Sequence, residues 1–448
     1  MCIQTNSPGQ EVAKKIPGYW SKVRRSFPFA SNVAVLSGGA SLGHCFTVAA
    51  APFLTRLYLP HDIGNLGLFN AFLAVIVVTT SLQYDVAIVS ASDEREAAHL
   101  TKLSMLFAVP ISLAGGLLLY AMIHYSLVGF GTLPAYAAGL MVPTMCFAGL
   151  FSILRYWSLR HESFGIVSHA FIFQNGGRSV LQVALGTIGL HSFGLLLGEV
   201  FGRGMGMSRM ARKAFPVIRK YALSKNDAAK TLARNRQFPL YSMPSSLINQ
   251  LGTSLPLPVL VTLYGADAGG YYALVFRVMA VPAVLVGSSM ADAFHSRAAL
   301  YAREQPQRVL GFFHSTSAVL LAIGIVPALF ILFFGEPTFA FAFGIRWKLS
   351  GTIAKIVAPW FLASFVVAPV SRLVYVLHGQ RLKLIYDFLI LGGNVMVFVF
   401  ALHLGWTMLG TLKIMSGVNT ACIIVYYLVL LRIATTGMRR SSMRRMAA

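Results

Sequence analysis

Two arginines interrupt long apolar segments and are the residues best placed to bind a charged molecule. Arg178 lies about ten residues from one end of the predicted helix 164–188, and Arg277 about eight from the same end of the predicted helix 269–295. At about 1.5 Å per residue, both would lie some 12–15 Å deep in a bilayer. No Asp or Glu occurs within four residues of either, so neither has a predicted partner on its own helix.

Buried charge persists in a membrane mainly where it lines a cavity or meets a partner. We therefore weigh two interpretations: a structural pair between helices, and a cationic cavity that receives an anion. Arg suits a phosphate because its planar fork donates two hydrogen bonds at once. Nearby amides would add polar lining for sugar hydroxyls, although interhelical hydrogen bonding explains them equally well. The predicted binding residues are Arg178, Arg277, Asn175, Gln174 and Asn249, with Gln182 and Gln250 as further polar lining.

Acidic residues within the predicted helices are few: Asp292, Asp387 and Glu199. A cation-coupled transporter needs a carboxylate that exchanges a proton or holds Na⁺. Asp292 is the best placed for this role, while pairing with Arg297 is the alternative. Glu199 precedes Arg203 by four residues, so these two are predicted to pair on one helix face.

Catalysis finds little support in the sequence. The 11 His are dispersed, no HExxH motif occurs, and the 4 Cys are scattered without a CxxC pair. We predict neither an enzyme, nor a metal site, nor a cofactor.

Composition predicts a membrane protein. The 448 residues are 56% hydrophobic and only 11% charged, with a mean hydropathy of +0.68, whereas soluble domains carry about 25% charged residues. Apolar runs near the roughly 20 residues of a transmembrane helix recur throughout. We predict an all-α, polytopic fold with about twelve helices, at 31–54, 64–84, 101–123, 134–154, 164–188, 190–208, 242–263, 269–295, 309–334, 351–374, 384–402 and 408–431.

The net charge of +23 is a topology signal rather than a sign of nucleic-acid binding. Most Lys and Arg fall in the N-terminal segment, alternate loops and the C-terminal tail. The bias of Lys and Arg towards the cytoplasm therefore predicts that both termini and the 209–238 loop are cytoplasmic. That loop carries nine Lys and Arg against the lone acid Asp227, which predicts an amphipathic linker on the membrane surface.

The chain contains an internal repeat. Residues 52–58 recur 206 positions later as 258–264, and in that register Pro52/Pro258, Tyr58/Tyr264 and Gly64/Gly270 are identical. The repeat predicts a duplicated chain. We predict a basic segment at 1–30, an N-lobe at 31–208, a linker at 209–238, a C-lobe at 239–432 and a basic tail at 433–448.

Several of these segments together resemble a known family. Leu54-Thr55-Arg56-Leu57-Tyr58, the run Gln83-Tyr84-Asp85-Val86-Ala87-Ile88-Val89, and the block from Phe238 to Ser245 followed by Gly270-Tyr271-Tyr272-Ala273-Leu274 carry the similarity. The chain resembles the bacterial polysaccharide flippases, the O-antigen and exopolysaccharide repeat-unit translocases of the multidrug/oligosaccharidyl-lipid/polysaccharide (MOP) superfamily. Beyond about residue 310, the resemblance rests on hydropathy alone. Asp85 departs from the family pattern, where glutamate is frequent.

The resemblance implies two six-helix lobes around a central cavity, and a monomer is sufficient for the pathway. It implies alternating access for an oligosaccharide linked through diphosphate to a polyprenol of the undecaprenyl type. Such a protein would act in the bacterial inner membrane, in surface polysaccharide biosynthesis, beside glycan polymerase or export proteins. A cation-coupled multidrug exporter of the same superfamily is the first alternative. A membrane glycan polymerase or ligase is a weaker one, because the predicted extracytoplasmic loops are short.

Overall fold

The computed structural model describes residues 28–305, 307–376 and 380–446, and between residues 38 and 435 nearly all of their side chains. Every regular element in these ranges is helical. The α-helices are α1 (Pro28–Ala49), α2 (Ala51–Leu57), α3 (Pro60–Ile76), α4 (Tyr84–Ser90), α5 (Glu94–His124), α6 (Tyr136–Arg160), α7 (Phe164–Thr187), α8 (His191–Gly204), α9 (Met207–Lys220), α10 (Lys225–Arg234), α11 (Met243–Ser254), α12 (Pro256–Met279), α13 (Ser288–Glu304), α14 (Gln307–Phe343), α15 (Lys348–Val370), α16 (Leu373–Val376), α17 (Gln380–Leu404) and α18 (Met408–Met446).

Eight helical stretches among the described residues are long and apolar enough to cross a membrane. One of them, Phe238–Met279, contains two passes, because the backbone leaves the helical region at Gly265 (φ 87°) and folds back. The reversal brings Gly269 back against Val261, which precedes the turn. A Cβ on Gly269 would lie only 2.4 Å from the Val261 side chain. The predicted all-α, polytopic membrane fold is confirmed.

Helix boundaries differ from prediction at two of the predicted loops. Pro60 does not break the chain but begins α3, in the first-turn position where its missing N–H costs nothing. The Leu59 amide donates to Asp62 Oδ2 at 3.0 Å and caps this end. The predicted loop 335–350 is largely helical, since α14 continues to Phe343.

We call the end of the bundle that holds residues 91–93, 161–163 and 205–242 the basic end, and the end that holds 125–135, 188–190 and 344–347 the far end. One hydrophobic core joins the two halves towards the far end, and includes Leu54, Leu68, Leu260 and Trp347. Towards the basic end each half instead has a core of its own, around Trp157 and Phe313 respectively. The halves therefore share one core at the far end, whereas their cores are separate at the basic end.

The contacts between halves at the far end are reciprocal. A Cβ on Gly64 would lie 2.1 Å from the Ala266 carbonyl oxygen, and a Cβ on Gly270 would lie 1.9 Å from the Pro60 oxygen. Ala266 and Gly270 are the positions 206 residues after Pro60 and Gly64. Contacts that map onto themselves when two copies are exchanged are the signature of two-fold symmetry. The internal repeat therefore packs as a pseudo-symmetric pair.

The linker between the halves docks on the first half. Helix α9 buries Met207, Met210, Ala214 and Ile218 on one face, against the core near Trp157. A hydrogen bond of 3.0 Å between His99 Nε2 and the Ala222 carbonyl oxygen fixes the turn that follows α9. The polar face of α9 remains exposed at the basic end.

Candidate functional site

Three arginines and one glutamate lie at mid-depth in the bundle. The Glu199 carboxylate is buried, with 1% of its side chain exposed. Its Oε1 accepts from Arg178 Nη1 at 3.1 Å and from Arg203 Nε at 2.8 Å. The predicted pairing of Glu199 with Arg203 is confirmed.

Arg178 pairs with Glu199 on the neighbouring helix, which is the pair between helices that the sequence left open. Helices α7 and α8 are antiparallel neighbours joined by residues 188–190 only. Arg178 lies nine residues before the end of α7 and Glu199 eight residues after the start of α8, so the two side chains reach the same depth. The equal distances from one tight turn are visible in the sequence, but they indicate a pair only when the two helices are taken together as antiparallel neighbours.

A face of small residues on α8, with Gly198 and Gly202, allows this close packing. A Cβ on Gly202 would lie 2.4 Å from the Arg178 Cβ, and one on Gly198 would lie 2.6 Å from Gln182 Cγ. Small residues at such positions let helix backbones approach. The arginine stem is thereby held against α8, with its guanidinium directed at Glu199.

Two of the predicted amides complete the cluster. Asn175 Oδ1 accepts from Arg178 Nη2 at 2.7 Å, and Gln174 Nε2 donates to the Arg203 carbonyl oxygen at 3.1 Å. Arg178 Nη2 also lies 3.4 Å from Thr47 Oγ1 on α1. The amides therefore hold the arginines in place as much as they line the space beside them.

Arg277 reaches the same place from the other half. Its Nη2 donates to the Thr47 carbonyl oxygen at 3.0 Å, so Thr47 contacts both deep arginines. Its Nε is buried without a hydrogen-bond partner. Among the described residues Arg277 forms no ion pair. The cluster holds three positive charges and one negative charge, a net charge of +2.

Two connected cavities adjoin the cluster. A polar cavity of about 270 Å³ is lined by Thr47, Asn70, Arg178, Glu199 and Arg277 among others. A larger cavity of about 1000 Å³ is lined mainly by apolar side chains of the second half, with Phe276, Trp360, Phe361 and Phe365 among them. Both linings share His44, Val48, Ala280 and Val281. The polar cavity is therefore the deep end of a larger, mostly apolar space between the halves.

The remaining predicted residues lie elsewhere. Asn249 is exposed on α11 and belongs to neither lining, and Gln250 Nε2 bonds Ser254 Oγ at 3.2 Å on the same helix. Asp292 lies on α13, but its side chain is outside the described residues. Its neighbour Ala291 lines the larger cavity.

Three other charged residues, within predicted helices or at a helix end, have partners. Lys355 Nζ lies 3.2 Å from the Glu336 carboxylate, which the longer α14 brings opposite it. Lys383 pairs with Asp387 one turn later. Asp85 accepts from Ser81 and Ser152 hydroxyls, each at 2.6 Å, so it ties α4 to α6.

One pentapeptide has the spacing of a nucleophile elbow but not its structural setting. Gly39-Ala40-Ser41-Leu42-Gly43 has the GxSxG spacing but lies inside α1, with no strand before it. Its glycines serve packing, since a Cβ on Gly39 would lie 1.9 Å from Ser168 Oγ on α7. Among the described residues, no three His, Cys, Asp or Glu side chains are grouped to hold a metal ion.

Comparison with known proteins places the fold. No family model and no curated protein matches the chain. Among solved structures, the lipid II flippase MurJ in an inward closed conformation has a TM-score of 0.67 at 15% identity, over 90% of each chain. An inward-facing MATE-family multidrug transporter of the MOP superfamily has a TM-score of 0.57 at 15% identity, over 94% of this chain and 99% of that one.

A third structure differs in the character of its site. It is a MOP superfamily transporter from Pyrococcus furiosus, described by a reverse polarity of its binding pocket, with a TM-score of 0.52 at 16% identity over 92% of this chain and 96% of that one. The chain therefore has the fold of MOP-superfamily transporters and flippases. At 15–16% identity these structures indicate the fold alone, so the function of the site follows from the residues of this chain.

Proposed function

We propose that this protein is a flippase that moves polyprenyl-diphosphate-linked oligosaccharides from the cytoplasmic to the periplasmic leaflet by alternating access. The observation that carries the proposal is the net charge of +2 at the deep end of a mostly apolar cavity. A diphosphate supplies the missing negative charge, and charge-assisted bonds from Arg to phosphate are strong and directional. The apolar walls suit the lipid chain to which the diphosphate is attached.

The distribution of contacts supports a transporter open to one side. The cavity reaches Arg155, Leu159 and Arg372 near the basic end, whereas the halves are closed at the far end by their common core. The positive-inside rule predicts that the basic end is cytoplasmic. On this orientation the cavity faces the leaflet in which lipid-linked glycans are made.

The charge of the cluster weighs against the first alternative. A multidrug exporter for organic cations would bring a positive ligand to a site with two uncompensated positive charges, at a cost that low dielectric enlarges. Structural similarity does not separate the two functions, because a multidrug transporter and a lipid II flippase both share the fold. The predicted division at residues 208 and 239, the location in the inner membrane, and coupling through Asp292 belong to the same proposal.

The test is deletion of the gene in its host, followed by recovery of lipid-linked repeat units. We expect them to accumulate on the cytoplasmic face, and wild-type protein to relieve the accumulation. Arg277→Ala should fail to relieve the accumulation. Arg277→Lys should relieve it in part, because Lys keeps the positive charge but lacks the planar guanidinium that donates two hydrogen bonds at once. Arg56→Ala is the matched control, since Arg56 is exposed and lies outside both linings.

Arg277 is the better probe because Arg178→Ala would also leave the Glu199 charge with one fewer partner. Normal surface polysaccharide in the deletion strain, combined with sensitivity to cationic drugs, would contradict the flippase and favour the exporter. Full rescue by Arg277→Ala at normal expression would contradict the role of the cationic cluster.

A further inference from the structure

Helix α9, in the linker between the halves, has two opposite faces. One face buries Met207, Met210, Ala214 and Ile218 against the first half. At about 100° per residue, the basic side chains of the helix lie on the opposite face, within an arc of about 120°. All of them are exposed: Arg209, Arg212, Lys213, Arg219 and Lys220. The basic face therefore takes no part in docking α9 to the first half.

The basic face of α9 lacks a protein counterion. Helix α9 contains no acidic residue, and none of its basic side chains forms an ion pair among the described residues. The acids of α10 and of the start of α5 have other partners. Asp227 lies 3.3 Å from Arg95. Glu96 lies 3.6 Å from Arg234. Within the part of the chain that the structure describes, the positive charge of α9 is therefore uncompensated.

Helix α9 crosses the bundle at nearly constant height. Its start lies beside α7, where a Cβ on Gly206 would lie 2.7 Å from the Ala170 carbonyl oxygen. Its end lies beside α5, where Lys102 Nζ donates to the Tyr221 carbonyl oxygen. Ala170 is six residues after the start of α7, and Lys102 is eight residues after the start of α5. Both of these helices begin at the basic end. Helix α9, about 21 Å long, therefore runs roughly parallel to the membrane plane.

This height coincides with the edge of the hydrocarbon layer. Lys102 is the last charged residue of α5 before the segment 103–123, which contains no Asp, Glu, Lys, Arg or His. Its length matches the roughly 20 residues that span the apolar core of a bilayer. Starting one turn beyond Lys102, α5 exposes an apolar stripe made of Leu106, Val109, Leu113 and Leu117. Lipid chains that cover this stripe would place their headgroups beside Lys102 and the end of α9.

We propose that the basic face of α9 binds the phosphate groups of anionic phospholipids in the leaflet at the basic end. The charge of the face requires an anionic ligand, and its height at the boundary between lipid and water favours a lipid over a nucleic acid or an acidic protein. Each Lys or Arg near an anionic surface strengthens binding by about fivefold. The face belongs to neither cavity lining, so this surface is separate from the central site and does not depend on what the protein transports.

The test is native mass spectrometry of the full chain in a neutral detergent, titrated with phosphatidylglycerol or with phosphatidylcholine of the same acyl chains. Wild type should bind phosphatidylglycerol at least about tenfold more tightly than phosphatidylcholine. Arg219→Gln/Lys220→Gln, at the end of α9 beside Lys102, should reduce this preference by about tenfold or more. Arg219→Lys should keep the preference, because the positive charge remains.

The matched control is Lys225→Gln/Lys230→Gln on α10, where both side chains are exposed. Helix α10 contacts α5 at Arg95, seven residues before Lys102, and therefore lies about 10 Å further from the hydrocarbon edge. That distance is about one Debye length. The control pair removes the same charge as the α9 pair, but it should reduce the preference by about threefold or less.

Three results would overturn the proposal. The first is equal affinity of wild type for the two lipids, including the case in which α9 binds a single-stranded RNA oligonucleotide instead. The second is an equal loss in the α9 and α10 pairs, which would indicate an effect of net charge alone. The third is a loss in Arg277→Gln without a loss in the α9 pair, which would assign the bound lipid to the central cavity.

Discussion

The reciprocal glycine contact at the far end should control which side of the protein is open. A Cβ added to Gly270 would lie 1.9 Å from the Pro60 carbonyl oxygen, and both atoms belong to helix backbones that cannot rotate away. The helices would have to separate by more than about 1 Å. Such overpacking costs about 1–3 kcal/mol, which shifts an equilibrium between two conformations by about 5- to 150-fold.

Gly270→Ala should therefore populate the conformation in which the far end is open. Spin labels at His61 and Asp267 report the separation, since these side chains are 48% and 65% exposed and lie 3.9 Å apart across the halves. Double electron–electron resonance on protein in nanodiscs should show a second, longer distance in Gly270→Ala. Gly64→Ala should show the same change, because its Cβ would meet the Ala266 oxygen at 2.1 Å.

Gly139→Ala is the matched control, since a Cβ on this helical glycine meets nothing within 4 Å. Its distance distribution should equal that of wild type. If the Gly270→Ala and Gly64→Ala distributions also equal wild type, the far-end contact does not open as a unit, and the reasoning from steric overlap is refuted.

Three further changes have defined outcomes. Glu199→Gln leaves Arg178 and Arg203 without their carboxylate, so thermal unfolding should show a loss of about 3–5 kcal/mol, whereas the exposed Glu162→Gln should change little. Trp347→Phe removes the 2.9 Å bond from the indole N–H to the Thr55 oxygen; the loss of about 1 kcal/mol should favour the open far end, measured with the same spin labels. Asp292→Asn should reduce transport in proteoliposomes with an imposed proton gradient if that carboxylate carries the proton, and unchanged transport at normal expression would remove Asp292 from the mechanism.

Much of the fold follows from hydropathy and from the repeat. Apolar runs of spanning length predict the helices because backbone polar groups must be satisfied inside a bilayer. The match of Gly64 with Gly270 identified two residues that do meet across the halves. Helix ends were less predictable, since Pro60 and Glu336 lie within helices where the local sequence favours a turn.

The site was predicted only in part. Arg178, Arg277 and Asn175 converge on one polar region, as depth along each helix suggested. Asn249 does not join them and is exposed instead. A single amide in the sequence does not indicate which face of its helix points towards a cavity. The partnership of Arg178 with Glu199 depends on the pairing of two helices. A pattern within a single helix cannot supply that information.

The measurement that bears most directly on the cationic cavity is a comparison of two substrates in one set of proteoliposomes. A fluorescent polyprenyl-diphosphate oligosaccharide and an organic cation such as ethidium are followed in wild type and Arg277→Ala. We predict that wild type translocates the diphosphate lipid but not the cation, and that Arg277→Ala loses the former activity. Translocation of the cation by wild type, undiminished in Arg277→Ala, would contradict the account.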